Sequence, residues 1–459
     1  MISTPAAPGP HVASGVWGSD LRALTIGIVS LVTLFAFEGI ATATAMPALA
    51  RDLDAMGGYT WAFNAYVAAS LFAMVAGGLW ADASGPRDPL VASVTTFAVG
   101  ATVAGLAPNL VVLVLGRALE GLGGGAILVA LYVLIARAYT VEARPVIFSV
   151  MSAAWVVPSL VGPLVAGWLA ENVTWRAVFL LVPVFVIPPA LLLFPRIRGL
   201  HEGVPHDSAR ARLLAGLLAT IGLFAVQDGA LRLSIAGWAE AVVGGVALVL
   251  SLRVLLPDGA LVLRRGLPTS VMMRGFLAAA VFSAEVFVPL ALVEIRGLTI
   301  TQAGLVLAVS ATMWAVGSYV QSRIAGDVDR ASTVRIGAAI VAFSVLSLPL
   351  CLLPAVPPWI AAISWAIGSL GMGLAIPSVA VQVLRRSPEK DQGVNSAAIQ
   401  IIDSVMAVLA VALLGVWHAQ AVASGGATVT TYVGRWGGSA GIGMAGAGVA
   451  GRMRPSLST

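Results

Sequence analysis

The chain is 459 residues long, 59% hydrophobic and only 10% charged, with a formal net charge of +5. A soluble domain has about a quarter of its residues charged, so this composition excludes an ordinary water-soluble enzyme or binding module. Every basic residue except Lys390 is an arginine and no aromatic-interleaved basic patch accompanies them, which excludes nucleic-acid binding as the meaning of the positive charge.

Residues 1–20, rich in Pro, Gly, Ala and Ser, carry neither an apolar run nor a positively charged start and read as a disordered tail, not a signal peptide. Fourteen apolar stretches follow, at about 23–47, 60–81, 89–107, 111–136, 146–169, 176–195, 211–229, 236–256, 271–293, 303–322, 334–353, 359–384, 394–418 and 432–451. Each comes close to the length, about 20 residues of helix, that a hydrocarbon core of about 30 Å requires. The last is glycine-dense, from Gly437 to Gly451. Glycine costs up to about 1 kcal/mol in an exposed helix but permits close packing in a membrane.

Assigning alternate loops to opposite sides places twenty of the 26 basic residues on one side, from Arg22, Arg87 and Arg137 through Arg274 to Arg454. The other side holds Arg51, Arg176, Arg232, Arg296 and Arg435, and Arg117 lies inside span four. The positive-inside rule then makes both termini cytoplasmic, in a multi-pass protein of the inner (plasma) membrane. Polar interruptions at 195–212 and 257–268 bracket spans seven and eight. The chain therefore divides into the tail 1–20, a six-helix half 21–196, an inserted pair 210–256, a second half 271–451 and a tail 452–459. Repeated halves facing a central cavity are a transporter plan. The loop 322–335, with Gly326, Asp327 and Arg330, echoes the loop 78–87 of the first half.

Three stretches carry motifs. Residues 78–87 hold Gly78, Asp82, Gly85 and Arg87 between spans two and three. Glycine lets two helices approach, and a carboxylate at a helix end can pair with a neighbouring arginine and latch one conformation. Span four contains Arg117 and, three residues on and on the same face, Glu120. An arginine within hydrocarbon costs several kcal/mol, so Arg117 must face protein or water. Span five contains Pro158, Gly162, Pro163, Ala166 and Gly167. Proline kinks a helix and glycine allows tight packing beside it.

These stretches resemble the signature motifs of the major facilitator superfamily, with Ala83, Pro86 and Asp88 where basic residues are usual, Glu120 where Gln is common, and Pro158 and Ala166 as departures. With Trp175-Arg176 and the six-two-six layout, the chain resembles the fourteen-span drug:proton antiporters of that superfamily. The resemblance implies an all-α integral membrane protein with the major facilitator fold, two six-helix halves plus two inserted transmembrane helices. It also implies export of lipophilic drugs or similar small molecules by alternating access in exchange for protons, with the bent span five sealing the cavity. The expected partners are the lipid bilayer, the cargo and protons, and a monomer suffices. No cofactor beyond the proton-motive force is expected.

Reversible proton carriage requires carboxyl groups shielded from water. Glu38, Glu120, Glu285 and Asp403 fall well inside spans one, four, nine and thirteen. Span one of each half borders the cavity in the resembled superfamily, so Glu38 and Glu285 rank first, then Asp403. A permanently protonated acid, or a partner for Arg117, is the structural alternative for each. Asp228 and Glu240 flank the outer ends of the inserted pair and read as solvated. Phe63, Tyr66, Trp155, Phe282 and Trp314 are the candidate cavity aromatics, and the few buried amides favour an apolar cargo over a sugar.

The single Cys351 supports no disulfide within the chain, and the scattered histidines no metal site, with His201 and His206 in a solvated loop. There is no Walker loop and no His-x-x-x-His pair, so an ATP-driven pump or a membrane-embedded enzyme or sensor lacks its machinery. Export or facilitated movement of an endogenous lipid or metabolite is the alternative within transport.

Overall fold

A computed structural model of the chain describes residues 15–53, 60–200, 203–232, 234–324, 329–423 and 428–454. The first six spans are the helices Arg22–Asp52, Thr60–Ser84, Arg87–Gly105, Leu110–Ala138, Arg144–Asn172 and Arg176–Leu193. Spans seven and eight are Ala209–Arg232 and Ile235–Leu255. The last six are Leu267–Glu294, Ile300–Arg323, Arg330–Ser347, Ile360–Arg386, Gln392–Ala423 and Val429–Val449. Among the described residues, thirteen helices are long and apolar enough to cross a membrane by length and composition. The fourteenth, Val429–Val449, is a full helix begun by a Thr428–Thr431 capping box. Two of its glycines, Gly443 and Gly446, lie against Ala342 of span eleven and Phe276 of span nine, so small residues serve close packing there.

The two halves repeat one packing scheme. Span one packs on five and six, two on four, and three on four and six; likewise nine packs on thirteen and fourteen, ten on twelve, and eleven on twelve and fourteen. The result is an all-α membrane fold of two six-helix halves with two inserted helices. Span seven packs on span eight and also on spans two and thirteen, so the inserted pair covers a seam between the halves.

Arg274 and Arg435, assigned to opposite sides by their charge, lie well inside helices. Arg274 lies within span nine, which begins at Leu267 with Pro268 in its first turn; proline at that position sacrifices only a donor that has no helical partner. Arg435 lies within span fourteen and is fully buried. In the N-terminal segment, residues 1–14 lie outside the described residues, but Val16 is buried and its carbonyl accepts the Thr25 hydroxyl at 2.6 Å.

Prolines break spans five and nine at defined carbonyls. Pro158 has no N–H for the carbonyl of Ala154, and span five divides into Arg144–Ala153 and Val156–Asn172. The freed Ala154 carbonyl accepts the hydroxyl of Thr33 from span one at 3.3 Å. Pro377 in span twelve likewise frees the Gly373 carbonyl, which accepts Ser318 Oγ from span ten at 3.2 Å. Pro289 frees the carbonyl of Glu285, and span nine divides into Leu267–Glu285 and Phe287–Glu294 at that residue.

Candidate functional site

The first half encloses a charged cluster. Arg117 Nη1 donates to Glu38 Oε1 at 2.6 Å and to Glu120 Oε2 at 2.5 Å. Thr42, one turn beyond Glu38 on span one, donates to Glu38 Oε1 at 2.8 Å. The guanidinium lies over the Tyr66 ring of span two, 4.4 Å from its centroid. Glu38 and Glu120 are completely inaccessible, and Arg117 is 3% exposed. Glu38 Oε2, Glu120 Oε1 and Arg117 Nε are buried without a hydrogen-bond partner. Two ionised carboxylates and one guanidinium sum to one negative charge. Removing an uncompensated charge from water costs several kcal/mol, so the arrangement calls for one proton shared between the acids.

The other candidate acids lie apart. Asp403 on span thirteen pairs with Arg274 Nε at 2.5 Å, not with Arg117, and Tyr132 of span four lies against that pair. Glu285 sits at the break of span nine and forms no hydrogen bond or ion pair among the described residues. Asp228 and Glu240 are less solvated than their position suggests, since Arg232 bridges them, Nη2 to Asp228 Oδ2 and Nη1 to Glu240 Oε2 at 3.4 Å.

The loop motif does not pair its carboxylate with an arginine. Asp82 is fully buried and accepts the backbone N–H of Gly393 at 2.6 Å and of Val394 at 2.8 Å, the first turn of span thirteen. A carboxylate is favoured at that helix end by its free N–H groups and dipole. The approach requires glycine on both sides: a Cβ on Gly78 would meet the Gly393 carbonyl at 2.7 Å, and one on Gly393 the Gly78 carbonyl at 2.2 Å. Gly85 turns the chain with φ of +80°, and Arg87 pairs with Asp88 at 3.2 Å. A second bond between the halves forms at this arginine-rich end, from Gln321 Nε2 of span ten to the Pro145 carbonyl at 3.0 Å. Gly326 and Asp327, the echo of the first loop, lie outside the described residues.

In span five, Gly162 meets Ile40 of span one, where a Cβ would stand at 3.2 Å, whereas Gly167 has nothing within 4 Å and does not serve close packing. Pro163 is carried inside the helix. Of the aromatics, Tyr66 belongs to the charged cluster, and Trp155, 40% exposed, meets Phe35 edge-on at 6.2 Å. Phe63, Phe282 and Trp314 are half-buried.

Three groups escaped sequence reasoning. Thr42 was accessible from its four-residue spacing to Glu38. Arg274 lies inside the apolar run 271–293, and counting it with a loop hid its partner. His206 had been read as solvated, yet its side chain is only 15% exposed and lies 3.1 Å from Asp82. Nothing in its loop sequence signals that placement. Among the described residues no cluster of three or more His, Cys, Asp or Glu could hold a metal.

The family model described as Major Facilitator Superfamily matches residues 26–411. The chain is 24% identical over 405 residues to the multidrug transporter protein MdtP of Bacillus subtilis, covering 85% of this chain and 74% of that protein. It is 24% identical over 412 residues to the methylenomycin A resistance protein of the same organism, covering 87% of each. A match of 32% to an uncharacterized MFS-type transporter of Schizosaccharomyces pombe is confined to 169 residues, 37% of this chain and 29% of that protein. The crystal structure of the human organic anion transporter MFSD10 superposes with a TM-score of 0.69 at 11% identity, covering 94% of this chain and 99% of that one.

Proposed function

The chain belongs to the major facilitator superfamily, and from that premise we propose that it exports lipophilic drugs or similar small molecules in exchange for protons, from the inner membrane with both termini cytoplasmic. The observation that carries the reading is the buried cluster of Glu38, Arg117 and Glu120, which holds one carboxylate more than its guanidinium can balance. The names of the two Bacillus relatives support drug export, and the arginine-rich loops support the orientation.

In this reading a proton entering from outside neutralises the excess charge of the cluster and allows the halves, 21–196 and 271–451, to rock towards the inward-open state. Cargo from the cytoplasm or inner leaflet binds as that proton leaves. Glu285, unpaired at the break of span nine, is the second carrier, and the Asp403–Arg274 pair stays charged throughout. Phe282, Trp314, Phe63 and Trp155 offer apolar surface to cargo. Each proton entering down 100 mV supplies about 2.3 kcal/mol and each pH unit about 1.4 kcal/mol, enough for a gradient of about a hundredfold or more.

The inserted pair favours a second reading, in which the cargo is an endogenous lipid or metabolite. Thr220 of span seven donates to the Ala68 carbonyl of span two at 3.4 Å, so the pair lies where it can shape access from the bilayer. A proteoliposome assay separates the two. An inside-acid gradient that collapses on adding a lipophilic cationic dye, and no longer does so in Glu38→Gln, supports antiport through the cluster. Dye movement indifferent to pH and to Glu38→Gln and Glu285→Gln overturns coupling and favours the facilitator or lipid exporter.

A further inference from the structure

The closure at the arginine-rich end contains a group that no motif supplies. His206 comes from the connection between span six and the inserted pair, and that connection is tied to the end of span two: Val204 N donates to the Asp82 carbonyl at 2.8 Å. Gly203 permits the approach, since a Cβ there would stand 2.2 Å from the same oxygen. The imidazole then lies between two carboxylates, its Nε2 3.1 Å from Asp82 Oδ2 and its Nδ1 3.8 Å from Asp391 Oδ1. Asp82 belongs to the first half, and Asp391 to the turn that opens span thirteen of the second. A single imidazole therefore bridges the halves where Asp82 also receives the Gly393 and Val394 amides.

A neutral imidazole has one N–H and one lone pair, so it can donate to only one of two facing carboxylates. The imidazolium donates to Asp82 and attracts Asp391 as an ion pair across 3.8 Å. Arg212 of span seven lies within electrostatic reach of Asp391, Asp82 and Asp258, and Asp207 is the next residue along the chain. Two carboxylates, Asp82 and Asp391, face the imidazole, and both lie within electrostatic reach of Arg212. The loop's own arginine, Arg87, is turned to Asp88. Histidine is the side chain whose ordinary titration falls near neutral pH.

We propose that His206 is a protonation-dependent clamp between the halves: charged, it bridges Asp82 and Asp391 and holds the arginine-rich end shut; neutral, it releases one of them and eases opening at that end. This rests on the alternating-access reading above. In that orientation the clamp senses cytoplasmic pH, and it tightens as the cytoplasm acidifies. An exporter that brings protons in is thereby slowed when inward protons have accumulated. His206 touches neither cargo nor the charged cluster; it is a positioning residue that sets how readily one end opens.

The test reads conformation directly. Spin labels are placed at Ser84→Cys and Pro388→Cys in a Cys351→Ser background, and the purified chain in lipid nanodiscs is examined at pH 6 and pH 8 without cargo. The intact clamp shifts the short-to-long distance ratio by about fivefold between the two, the size of one partly buried charged hydrogen bond. His206→Arg keeps the short distance at both pH values, and His206→Gln shows the longer one at both. A pH shift that persists in His206→Gln overturns the proposal and assigns the titration to another group, as does a wild-type ratio that does not change. The liposome assay is independent: a chain whose distances follow His206 but which moves no dye loses the exporter reading and keeps the clamp. A chain that couples dye to protons with distances indifferent to His206 loses the clamp alone.

Discussion

In the first half, Glu38, Arg117 and Glu120 place two carboxylates on one guanidinium, with no side chain more than 4% exposed. In the second half, Arg274 and Asp403 pair one to one, with side chains 12% and 21% exposed. Both sites lie within helices that cross the bundle, yet their charge parity differs. A balanced pair can remain ionised through a transport cycle, because each charge always has its partner. An unbalanced, drier cluster must take up a proton or remain open to water. In the proposed exchange, proton traffic falls to the half with surplus acid and a structural part to the other.

Removing the shared cation breaks the comparison most severely. Arg117→Met leaves two buried carboxyl groups facing each other without their donor and is expected to destabilise the protein by about 3–5 kcal/mol. Thermal unfolding in detergent checks this. Adding Glu38→Gln and Glu120→Gln to the same variant should restore most of the loss, because an uncharged cluster has nothing left to balance. If it does not, the contribution of Arg117 lies in its packing on Tyr66. Asp403→Asn strands Arg274 in the second half, but that site is partly exposed, and the expected loss is about 1–3 kcal/mol. A larger loss than that of Arg117→Met would reverse the ranking of the two sites. Glu38→Gln or Glu120→Gln converts three charges into a one-to-one pair and should change stability by less than about 1 kcal/mol while coupling is lost.

The fourteen spans were legible because bilayer-length apolar runs leave few alternatives, and even the glycine-dense last span was placed within a few residues. The three charged side chains of the first-half cluster were visible as charges inside hydrocarbon, with pairing to Arg117 as the structural alternative for each acid, but which acids take it was not legible. Asp403 had Arg117 as its conceivable partner, whereas Arg274 holds it, because a positive residue near the start of an apolar run was read as the end of a loop. The span-five proline was recognised as a kink. That Thr33 would receive the freed Ala154 carbonyl depends on how spans one and five cross, which periodicity does not encode. The motif aspartate was expected to find an arginine and found helix-end amides and a histidine instead, since the partner comes from a loop whose path depends on the inserted pair.

The smallest effect comes from an acid outside the spans, and it sharpens the comparison as a control. Asp52 ends the helix of span one, beyond its apolar stretch Arg22–Met46, at the arginine-poor end, where it accepts Trp175 Nε1 at 2.9 Å and Arg176 Nη1 at 2.7 Å. The Trp175 hydrogen bond first, and Arg176 next, hold its carboxyl below the ordinary range. A group with a lowered folded pKa contributes stability that is present above its ordinary value, about 3.9, and lost as pH falls through the lower folded value. Its contribution is therefore constant between pH 8 and pH 5. Asp52→Asn should lower the unfolding temperature by the same small amount at both. Glu38→Gln should behave differently if the proposed exchange runs through the cluster: any pH dependence of the wild type across this range should then be lost with it. A pH dependence retained in Glu38→Gln and in Glu120→Gln alike would place the exchangeable proton elsewhere, with Glu285 as the next acid to substitute.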